Sequence, residues 1–378
     1  MRMHVDQRHE LVLKLVRERG SIRVADLAAE LGVSSVTLRR DVETLAEQGR
    51  VRRLHGSVVW PHDPQAADRA APSAPAAPAG GGQGPVIGMV VPTTDYYFAA
   101  VVAGAREAAA ARGARLVIGL SQYLPHEDRA QAARLLSTGA DGLLLTPSWG
   151  HGVPEPGQEE WIAQQGVPAV LVERWAPLGS PAAALDRVRT DHAHGAALAV
   201  RHLASLGHRT VALAAQESPT AVQLAIGHAA AVEALGLDPA PRSPLELEPS
   251  RDESDRFDRT LEYLCDAVGK HGVTATLVHS DADAIVLIPR LQARGVRVPE
   301  DLALIAYDDE VAGLADLPLT AVAPPKRVVG ALAADLLLDR LAEHSQGAPA
   351  QPRRHVELLP ELRVRQSCGA AAGSTLSE

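Results

Sequence analysis

Hydrophobic and polar residues recur with two different periods along the chain, and the change of period divides it into two regions. In the first 60 residues, short apolar segments recur at helical spacing, and Gly20 and Gly32 end the first two. A third segment follows Ser34, a preferred N-cap residue. Arg50–Val59 then alternates about a glycine, which predicts a β-hairpin. The residues predicted to face inward are Leu11, Leu13, Leu15 and Val16, then Val24, Leu27, Ala28 and Leu31, then Leu38, Val42 and Leu45.

From Pro85 onward, continuous apolar runs alternate with helical segments. Such runs are typical of strands that are buried on both faces of a parallel sheet. The predicted strands are 86–91, 115–120, 141–147, 169–172, 210–214, 275–278 and 302–306, and the predicted helices lie near 97–112, 127–138, 158–165 and 192–206. Two such blocks predict two doubly wound α/β lobes. In these folds ligands bind at the carboxyl ends of the strands, so we expect a site in the cleft between the lobes.

The third helical segment near the N-terminus exposes small polar residues and two arginines on its first turns. These residues are Ser35, Val36, Thr37, Arg39 and Arg40. A helix of this kind fits the major groove of DNA, where its first turn reaches base edges. In the hairpin, Arg52, Arg53 and His55 would lie along the backbone of the duplex. The alternative for two adjacent arginines is a solvated helix face.

Residues 8–59 resemble the N-terminal domain of the DeoR family of bacterial repressors. The resemblance rests on the run from Ala25-Asp26-Leu27-Ala28 through Arg53-Leu54-His55-Gly56, although Ser57 stands where the family usually has a second glycine. It implies a winged helix-turn-helix domain that binds double-stranded DNA, and it favours DNA contact over a solvated face for the arginine pair.

Charge and composition agree with a DNA-binding head on an acidic body. Residues 1–60 contain 11 Lys and Arg against 8 Asp and Glu, whereas the whole chain has a net charge of −9. Non-specific contact with nucleic acid is therefore local to the head. Only Cys265 and Cys368 occur, without metal-ligand spacing, so we expect no disulfide framework, metal site or cofactor. No signal sequence or membrane span is apparent, which predicts a cytoplasmic protein.

Residues 61–84 are rich in Ala, Pro and Gly and have no apolar periodicity. They predict a linker that would span roughly 25–30 Å if it is flexible. Its glycine cluster is not a phosphate-binding loop, because no strand precedes it and no Lys-Ser/Thr follows. The predicted organisation is a winged helix-turn-helix domain over 1–60, this linker, a two-lobed α/β core over 85–368 and a flexible tail over 369–378.

The core is similar to the sugar-binding core of the LacI/GalR repressors, which is itself like the periplasmic binding proteins. The residues that carry this resemblance are Ile87-Gly88-Met89-Val90-Val91-Pro92, Asp141-Gly142-Leu143-Leu144-Leu145, Val170-Leu171-Val172-Glu173-Arg174, Thr190-Asp191, His202–Arg209, Gly295–Leu302, Ala306-Tyr307-Asp308-Asp309, Pro318-Leu319-Thr320, Leu359–Leu362 and Val364–Ser367. The resemblance implies a sugar-like effector bound between the lobes and a homodimer that presents two heads to a symmetric operator.

The candidate effector-binding residues lie at or after predicted strand ends. They are Tyr97, Phe98, Trp149, Arg174, Ser280, Asp281 and Asp308. The aromatic rings would stack on the C–H face of a sugar, and Arg174 and Asp308 would hydrogen-bond its hydroxyls. The alternatives are lobe core for Tyr97 and Phe98, an interlobe salt bridge or turn cap for Arg174 and Asp308, and a helix cap for Asp281.

The family commonly has an arginine three residues before the glycine of the helix near 220, and here that place is Leu224, before Gly227. The loss of a hydroxyl-reading group removes one reason to expect a simple monosaccharide, although Gln223 is a possible substitute. His192 and His194 form a His-x-His pair without further ligands, so a solvated helix start is favoured over a metal site.

The sequence therefore predicts a ligand-responsive transcriptional regulator, a repressor of carbohydrate uptake or breakdown genes. The alternatives are a regulator with a non-sugar effector, a sugar-modifying enzyme with a regulatory head, and a DNA-tethering protein without an effector. No Gly-x-Ser-x-Gly elbow, His-Glu-x-x-His motif or Walker loop supports an enzyme. The prolines of 61–84 exclude the regular hinge helix of the LacI/GalR proteins, so coupling between core and head is expected to be loose.

Overall fold

The computed structural model describes residues 5–19, 21–23, 27, 31, 42, 45, 50–54, 57–59, 84–150, 152–155, 157–243, 253–346 and 351–370. The chain forms two compact units, Met1–Gly82 and Gln83–Glu378. The predicted linker up to residue 83 and most of the predicted tail lie outside the described residues.

The N-terminal unit contains a helix and an antiparallel sheet. Its described elements are α1 (Val5–Arg19), β1 (Ser21–Arg23), β2 (Arg52–Leu54) and β3 (Ser57–Val59). The predicted hairpin is confirmed, because β2 pairs with β3, and β3 also pairs with β1, which was not predicted. Val12, Leu13 and Val16 of α1 are buried, whereas Leu11 is 37% exposed. The predicted stripe was wrong at Leu11, because residues 12, 13 and 16 lie on one face of a helix and residue 11 does not.

The larger unit has two α/β lobes, and its N-terminal lobe is built on a parallel sheet. The strands are β4 (Val86–Val91), β5 (Arg115–Leu120), β6 (Gly142–Leu145), β7 (Ala169–Val172), β8 (Asp186–Thr190) and β13 (His355–Leu358), and the helices are α2 (Tyr97–Ala111), α3 (Pro125–Ser137), α4 (Glu160–Ala163) and α9 (Lys326–Gln346). The strand order is β13-β8-β7-β6-β4-β5. Every strand pair in this sheet is parallel, which requires the helical crossovers that the sequence pattern predicted.

The C-terminal lobe repeats this arrangement with one antiparallel edge. The strands are β9 (Val211–Ala215), β10 (Ala275–His279), β11 (Ala303–Tyr307), β12 (Thr320–Ala323) and β14 (Glu361–Arg363), and the helices are α5 (His192–Ser205), α6 (Ala221–Ala234), α7 (Glu253–His271) and α8 (Asp281–Ala293). The strand order is β14-β12-β11-β10-β9, and β14 runs antiparallel to β12. The predicted two-lobed α/β core is confirmed.

The chain passes between the lobes three times, once after β8, once after β12 and once after β13. Helix α9 therefore packs on the first lobe although the strand before it belongs to the second. It lies against α2 at backbone distance, because a Cβ added to Gly104 would fall 1.9 Å from the carbonyl oxygen of Arg327. A Cβ added to Gly330 would fall 1.9 Å from that of Val101. Only glycine fits at these two positions without a shift of the helices.

Candidate functional site

A cavity of about 380 Å³ lies between the two lobes of the larger unit, at the carboxyl ends of the strands of both sheets. Its volume is within the range of ligand pockets, and its place is the one at which α/β folds bind ligands. The residues of its wall are Tyr96, Tyr97, Phe98, Tyr123, Gly152, Glu173, Arg174, Trp175, Arg189, Thr190, His192, Glu217, Ser218, Pro219, Thr220, Gln223, His279, Ser280 and Asp308.

Aromatic side chains are concentrated in this wall. The chain has only two Phe, five Tyr and four Trp, and five of these residues line the cavity: Tyr96, Tyr97, Phe98, Tyr123 and Trp175. Tyr97 and Phe98 meet edge to face, with ring centroids 5.4 Å apart. Aromatic faces with hydroxyl groups at their edges suit a ligand that has both apolar and polar surface, such as a sugar ring.

Asp308 follows β11 and brings a carboxylate to the cavity. Its backbone has φ +92°, a conformation that Asp tolerates better than most residues. The residue is 3% exposed, and its Oδ1 has no hydrogen-bond partner among the described residues. Oδ2 lies 3.6 Å from Nε2 of His279. A buried carboxylate oxygen without a partner is costly, and a ligand hydroxyl would satisfy it.

Arg174 follows β7 and brings a guanidinium group to the opposite wall. It is 4% exposed, and burial lowers its pKa from the ordinary value. Its Nε donates to the carbonyl oxygen of Pro147 at 2.7 Å and its Nη1 to that of Glu173 at 2.8 Å. Among the residues that the structure describes, its Nη2 has no partner. These contacts fix the plane of the group and leave its other amino group available to a ligand.

Glu173 belongs to a satisfied network at the first passage between the lobes. Its Oε1 accepts hydrogen bonds from the hydroxyl groups of Tyr97 at 2.7 Å and Thr190 at 2.8 Å, and its Oε2 accepts one from the Thr190 amide at 3.0 Å. Nε2 of His192 lies 3.5 Å from Oε2. Burial alone would raise the pKa of Glu173, but His192, Thr190 and Tyr97 outweigh it and hold that pKa at about 2.

The prediction of a solvated helix start for His192 was wrong. The residue is 7% exposed, and its Nδ1 lies 3.0 Å from the hydroxyl group of Tyr307. The chain crosses between the lobes just before this residue, so its side chain is covered from both sides.

Two of the predicted effector-binding residues do not line the cavity. Trp149 is 2% exposed and packs in the core of the N-terminal lobe with Ile162 and Leu171. Asp281 is fully buried and accepts hydrogen bonds from the backbone amides of Val311 at 2.6 Å and Ala312 at 2.8 Å. Both predictions are corrected: the side chain of Trp149 packs in the core of its lobe, and the carboxylate of Asp281 is used in hydrogen bonds within the protein.

Asp281 nevertheless links the lobes, because its Oδ1 accepts a hydrogen bond from the hydroxyl group of Tyr96. Ser280 lines the cavity and caps α8 in a capping box with Asp283. Tyr97, Phe98, Arg174 and Asp308 also line it, as the sequence analysis expected of a ligand site.

The expectation for residue 224 needs correction. Leu224 is fully buried in the core of the C-terminal lobe, and Gln223 is the residue of α6 that lines the cavity. Gly227 lets α6 approach α5, because a Cβ there would fall 1.9 Å from the carbonyl oxygen of Ala193. Leu224 is therefore a core residue, and its apolar side chain gives no argument against a simple monosaccharide.

Several wall residues were not predicted from the sequence: Tyr96, Tyr123, Trp175, Arg189, Glu217, Ser218, Pro219, Thr220 and His279. They share one signal, since each stands at or shortly after the carboxyl end of a strand. The carboxyl ends of the predicted strands are thus the signal in the sequence that marks most of these wall residues.

Most predicted DNA contacts lie outside the described residues: Ser35, Val36, Thr37, Arg39, Arg40 and His55. Arg52 and Arg53 are on β2, opposite Val59 and Val58 of β3. In the part of the chain that is described, no helix is long and apolar enough to cross a membrane. No group of three or more His, Cys, Asp or Glu suited to a metal ion occurs among the same residues.

Comparisons with known proteins match both units. A DeoR-like helix-turn-helix domain matches residues 8–63, and a periplasmic binding protein-like domain matches residues 200–368. The HTH-type transcriptional repressor PurR of Vibrio atlanticus is 27% identical over 290 residues, which are 74% of this chain and 80% of that protein. The ribose operon repressor of Escherichia coli is 27% identical over 286 residues, 74% of this chain and 81% of that protein.

A solved structure extends the likeness over nearly the whole chain. A complex of the transcriptional regulator CelR with cellobiose has a TM-score of 0.60 and 26% sequence identity, and the match covers 90% of this chain and 98% of that chain. These three relatives are all transcriptional regulators.

The fold, the cavity and these likenesses define a DNA-binding transcriptional regulator. Within that class, the chain combines a DeoR-like helix-turn-helix domain with a periplasmic binding protein-like core.

Proposed function

We propose that the chain is a cytoplasmic repressor of carbohydrate uptake or breakdown genes whose affinity for its operator changes when a sugar-like effector binds between the lobes. One observation carries the proposal: the aromatic-lined cavity holds two buried polar groups, Asp308 Oδ1 and Arg174 Nη2, that have no hydrogen-bond partner among the residues described. A carboxylate and a guanidinium on opposite lobes suit a polyhydroxylated ligand that bridges them and favours closure.

The DNA side of the proposal rests on the helix-turn-helix sequence and its family match. We assign base-edge contacts to the first turns of the third helix and backbone contacts to the hairpin. The residues are Ser35, Val36, Thr37, Arg39 and Arg40 in the helix, and Arg52, Arg53 and His55 in the hairpin.

We further propose that the cores form a homodimer, so that two heads meet two half-sites. Helix α6 supports this proposal, because Val222 and Ile226 lie four residues apart on it and are 37% and 54% exposed. Effector binding would change the spacing of the heads through residues 61–84. Replacement of that linker by a Gly/Ser sequence of equal length should leave regulation intact if the linker is only a tether.

The proposed function is tested by binding of the purified full chain to DNA from its own upstream region, at one stated salt concentration, with and without pooled mono- and oligosaccharides. Specific binding that a sugar pool weakens or strengthens supports the proposal. Specific binding that no sugar changes would support the DNA-binding function and show that the effector belongs to another chemical class. Absence of specific binding to any upstream fragment would overturn the proposal.

A further inference from the structure

The wall of the cavity that the N-terminal lobe provides contains a buried guanidinium group that has no direct carboxylate partner among the described residues. Arg174 is 4% exposed, and among the described residues it forms no ion pair with a carboxylate. Within the described part of the chain, its acceptors are two backbone carbonyl oxygens, those of Pro147 and Glu173. A buried cation normally has an anionic partner, so one is missing here.

Two carboxylates influence Arg174 electrostatically, but both are engaged elsewhere. Glu173 accepts from Thr190 and Tyr97 and faces His192. Asp128 accepts from the amide and the hydroxyl group of Ser148, at 2.6 Å and 3.0 Å. Each carboxylate therefore accepts hydrogen bonds from other groups, and neither forms a direct ion pair with the guanidinium group of Arg174.

A second guanidinium of the same wall is only half neutralised. Arg189 lines the cavity and lies over the ring of Trp175, with 6.0 Å from its Cζ to the ring centroid. It shares the carboxylate of Glu357 with Arg187, at 2.9 Å and 3.3 Å from the respective Nη2 atoms. Two cations on one carboxylate leave an excess positive charge, which lies on the same side of the cavity as Arg174.

We propose that the effector is an acidic sugar whose carboxylate or phosphate group binds at Arg174 and Arg189, while its hydroxyl groups donate to Asp308 across the cavity. Guanidinium groups recognise carboxylates and phosphates through paired, charge-assisted hydrogen bonds. The buried carboxylate of Asp308 would repel the anionic end, so the two walls fix the direction in which such a ligand enters. This inference rests on the proposed function, and it adds a charge requirement to the effector.

The first experiment uses inorganic phosphate as the probe on the full chain. Thermal unfolding is measured in sodium chloride and in sodium phosphate of equal ionic strength. We expect phosphate to raise the Tm of the wild type by about 2 °C or more. The exposed Arg209 supplies a matched control on the other lobe, so Arg209→Gln should keep the shift and Arg174→Gln should lose it. Equal shifts in all three proteins, or none in the wild type, would overturn the proposal.

Arg174→Gln also removes two contacts to backbone carbonyls, so it could fail to fold. Arg189→Gln is the second variant, because the side chain of Arg189 is 16% exposed and Glu357 keeps Arg187 as a partner. It should reduce the phosphate shift without lowering the Tm in chloride by a comparable amount. A full phosphate shift in Arg189→Gln would remove that residue from the anion site.

The second experiment separates the two sources of the anion and the two proposals. Calorimetric titration of the wild type compares matched pairs: glucuronate with glucose, galacturonate with galactose, and glucose 6-phosphate with glucose. We expect the acidic member that binds to be about 10- to 150-fold tighter than its neutral partner. This ratio should fall with added salt. Tighter uronates indicate a carboxylate, and a tighter sugar phosphate indicates a phosphate.

A neutral sugar that binds as tightly as its acidic partner and alters operator binding would overturn the charge requirement and leave the proposed function standing. An acidic sugar that binds in the cavity but leaves operator affinity unchanged would support the charge requirement and overturn the proposed function.

Discussion

Asp308→Asn is the most direct test of the effector site, because it removes a charge and changes almost no volume. Asn tolerates the positive φ of residue 308 as well as Asp does. Since Oδ1 has no partner among the described residues, the variant should fold normally, with a Tm equal to or higher than that of the wild type. Loss of a charge-assisted hydrogen bond to the ligand should cost about 1.5–3 kcal/mol, or about 10- to 150-fold in effector affinity.

The neighbouring Asp309 provides a matched control. Its side chain is 3% exposed, and it pairs with Arg363 at 2.8 Å and Arg365 at 2.6 Å. Asp309→Asn breaks those pairs, so it should destabilise the core by about 1–3 kcal/mol, less than a fully buried pair because the arginines reach solvent. The two variants should thus divide the effects: position 308 affects ligand affinity, and position 309 affects stability.

The assay is titration of the operator complex with the sugar that the operator screen identifies, together with thermal unfolding of both variants without ligand. Operator affinity without effector should be the same for both variants and the wild type. A wild-type effector response in Asp308→Asn would remove Asp308 from the ligand contacts. A large fall in its Tm would show that the carboxylate has a structural role, and the reasoning from its unpartnered oxygen would then fail.

Gly104→Ala should lower the free energy of unfolding by about 1–3 kcal/mol, because its Cβ would overlap a carbonyl oxygen of the facing helix. Gly269→Ala meets nothing within 4 Å in helix α7, so it should be neutral or stabilising by up to about 1 kcal/mol; equal effects in urea unfolding would contradict the packing. The pKa of Glu173 is lowered to about 2, so its contribution to stability is present above the ordinary pKa and is lost as the pH falls toward 2. Urea unfolding between pH 7 and pH 3 should show a smaller loss of stability for Glu173→Gln than for the wild type, and parallel profiles would refute the assignment. Arg39→Ala or Arg40→Ala should weaken specific operator binding by about 1–3 kcal/mol with little change in Tm. Unchanged operator binding in both variants would exclude this helix as the recognition helix.

The sequence pattern predicted the fully apolar strands better than the strands at the passages between lobes. Val86–Val91 and Ala169–Val172 are continuous apolar runs, and the structure has them with the predicted bounds. Asp186–Thr190 and His355–Leu358 were missed because charged residues alternate with apolar ones in both. The partners of those charges come from distant parts of the chain. For example, Asp186 is paired by Arg340 at 2.7 Å, a contact across 154 residues that local periodicity cannot indicate.

In the candidate site too, features set by neighbouring residues could be predicted from the sequence, whereas those set by distant residues could not. That Arg174 and Asp308 stand at strand ends can be read from the sequence, because an apolar run ends one or two residues before each. The direction of a side chain after a strand depends on which nearby groups of the protein need a hydrogen-bond partner. Asp281 turns inward because the amides of Val311 and Ala312 need an acceptor, and these lie 30 residues or more along the chain. Among the described residues no group makes such a demand on Oδ1 of Asp308, and this unpartnered oxygen in the cavity wall is the basis for proposing Asp308 as a ligand contact.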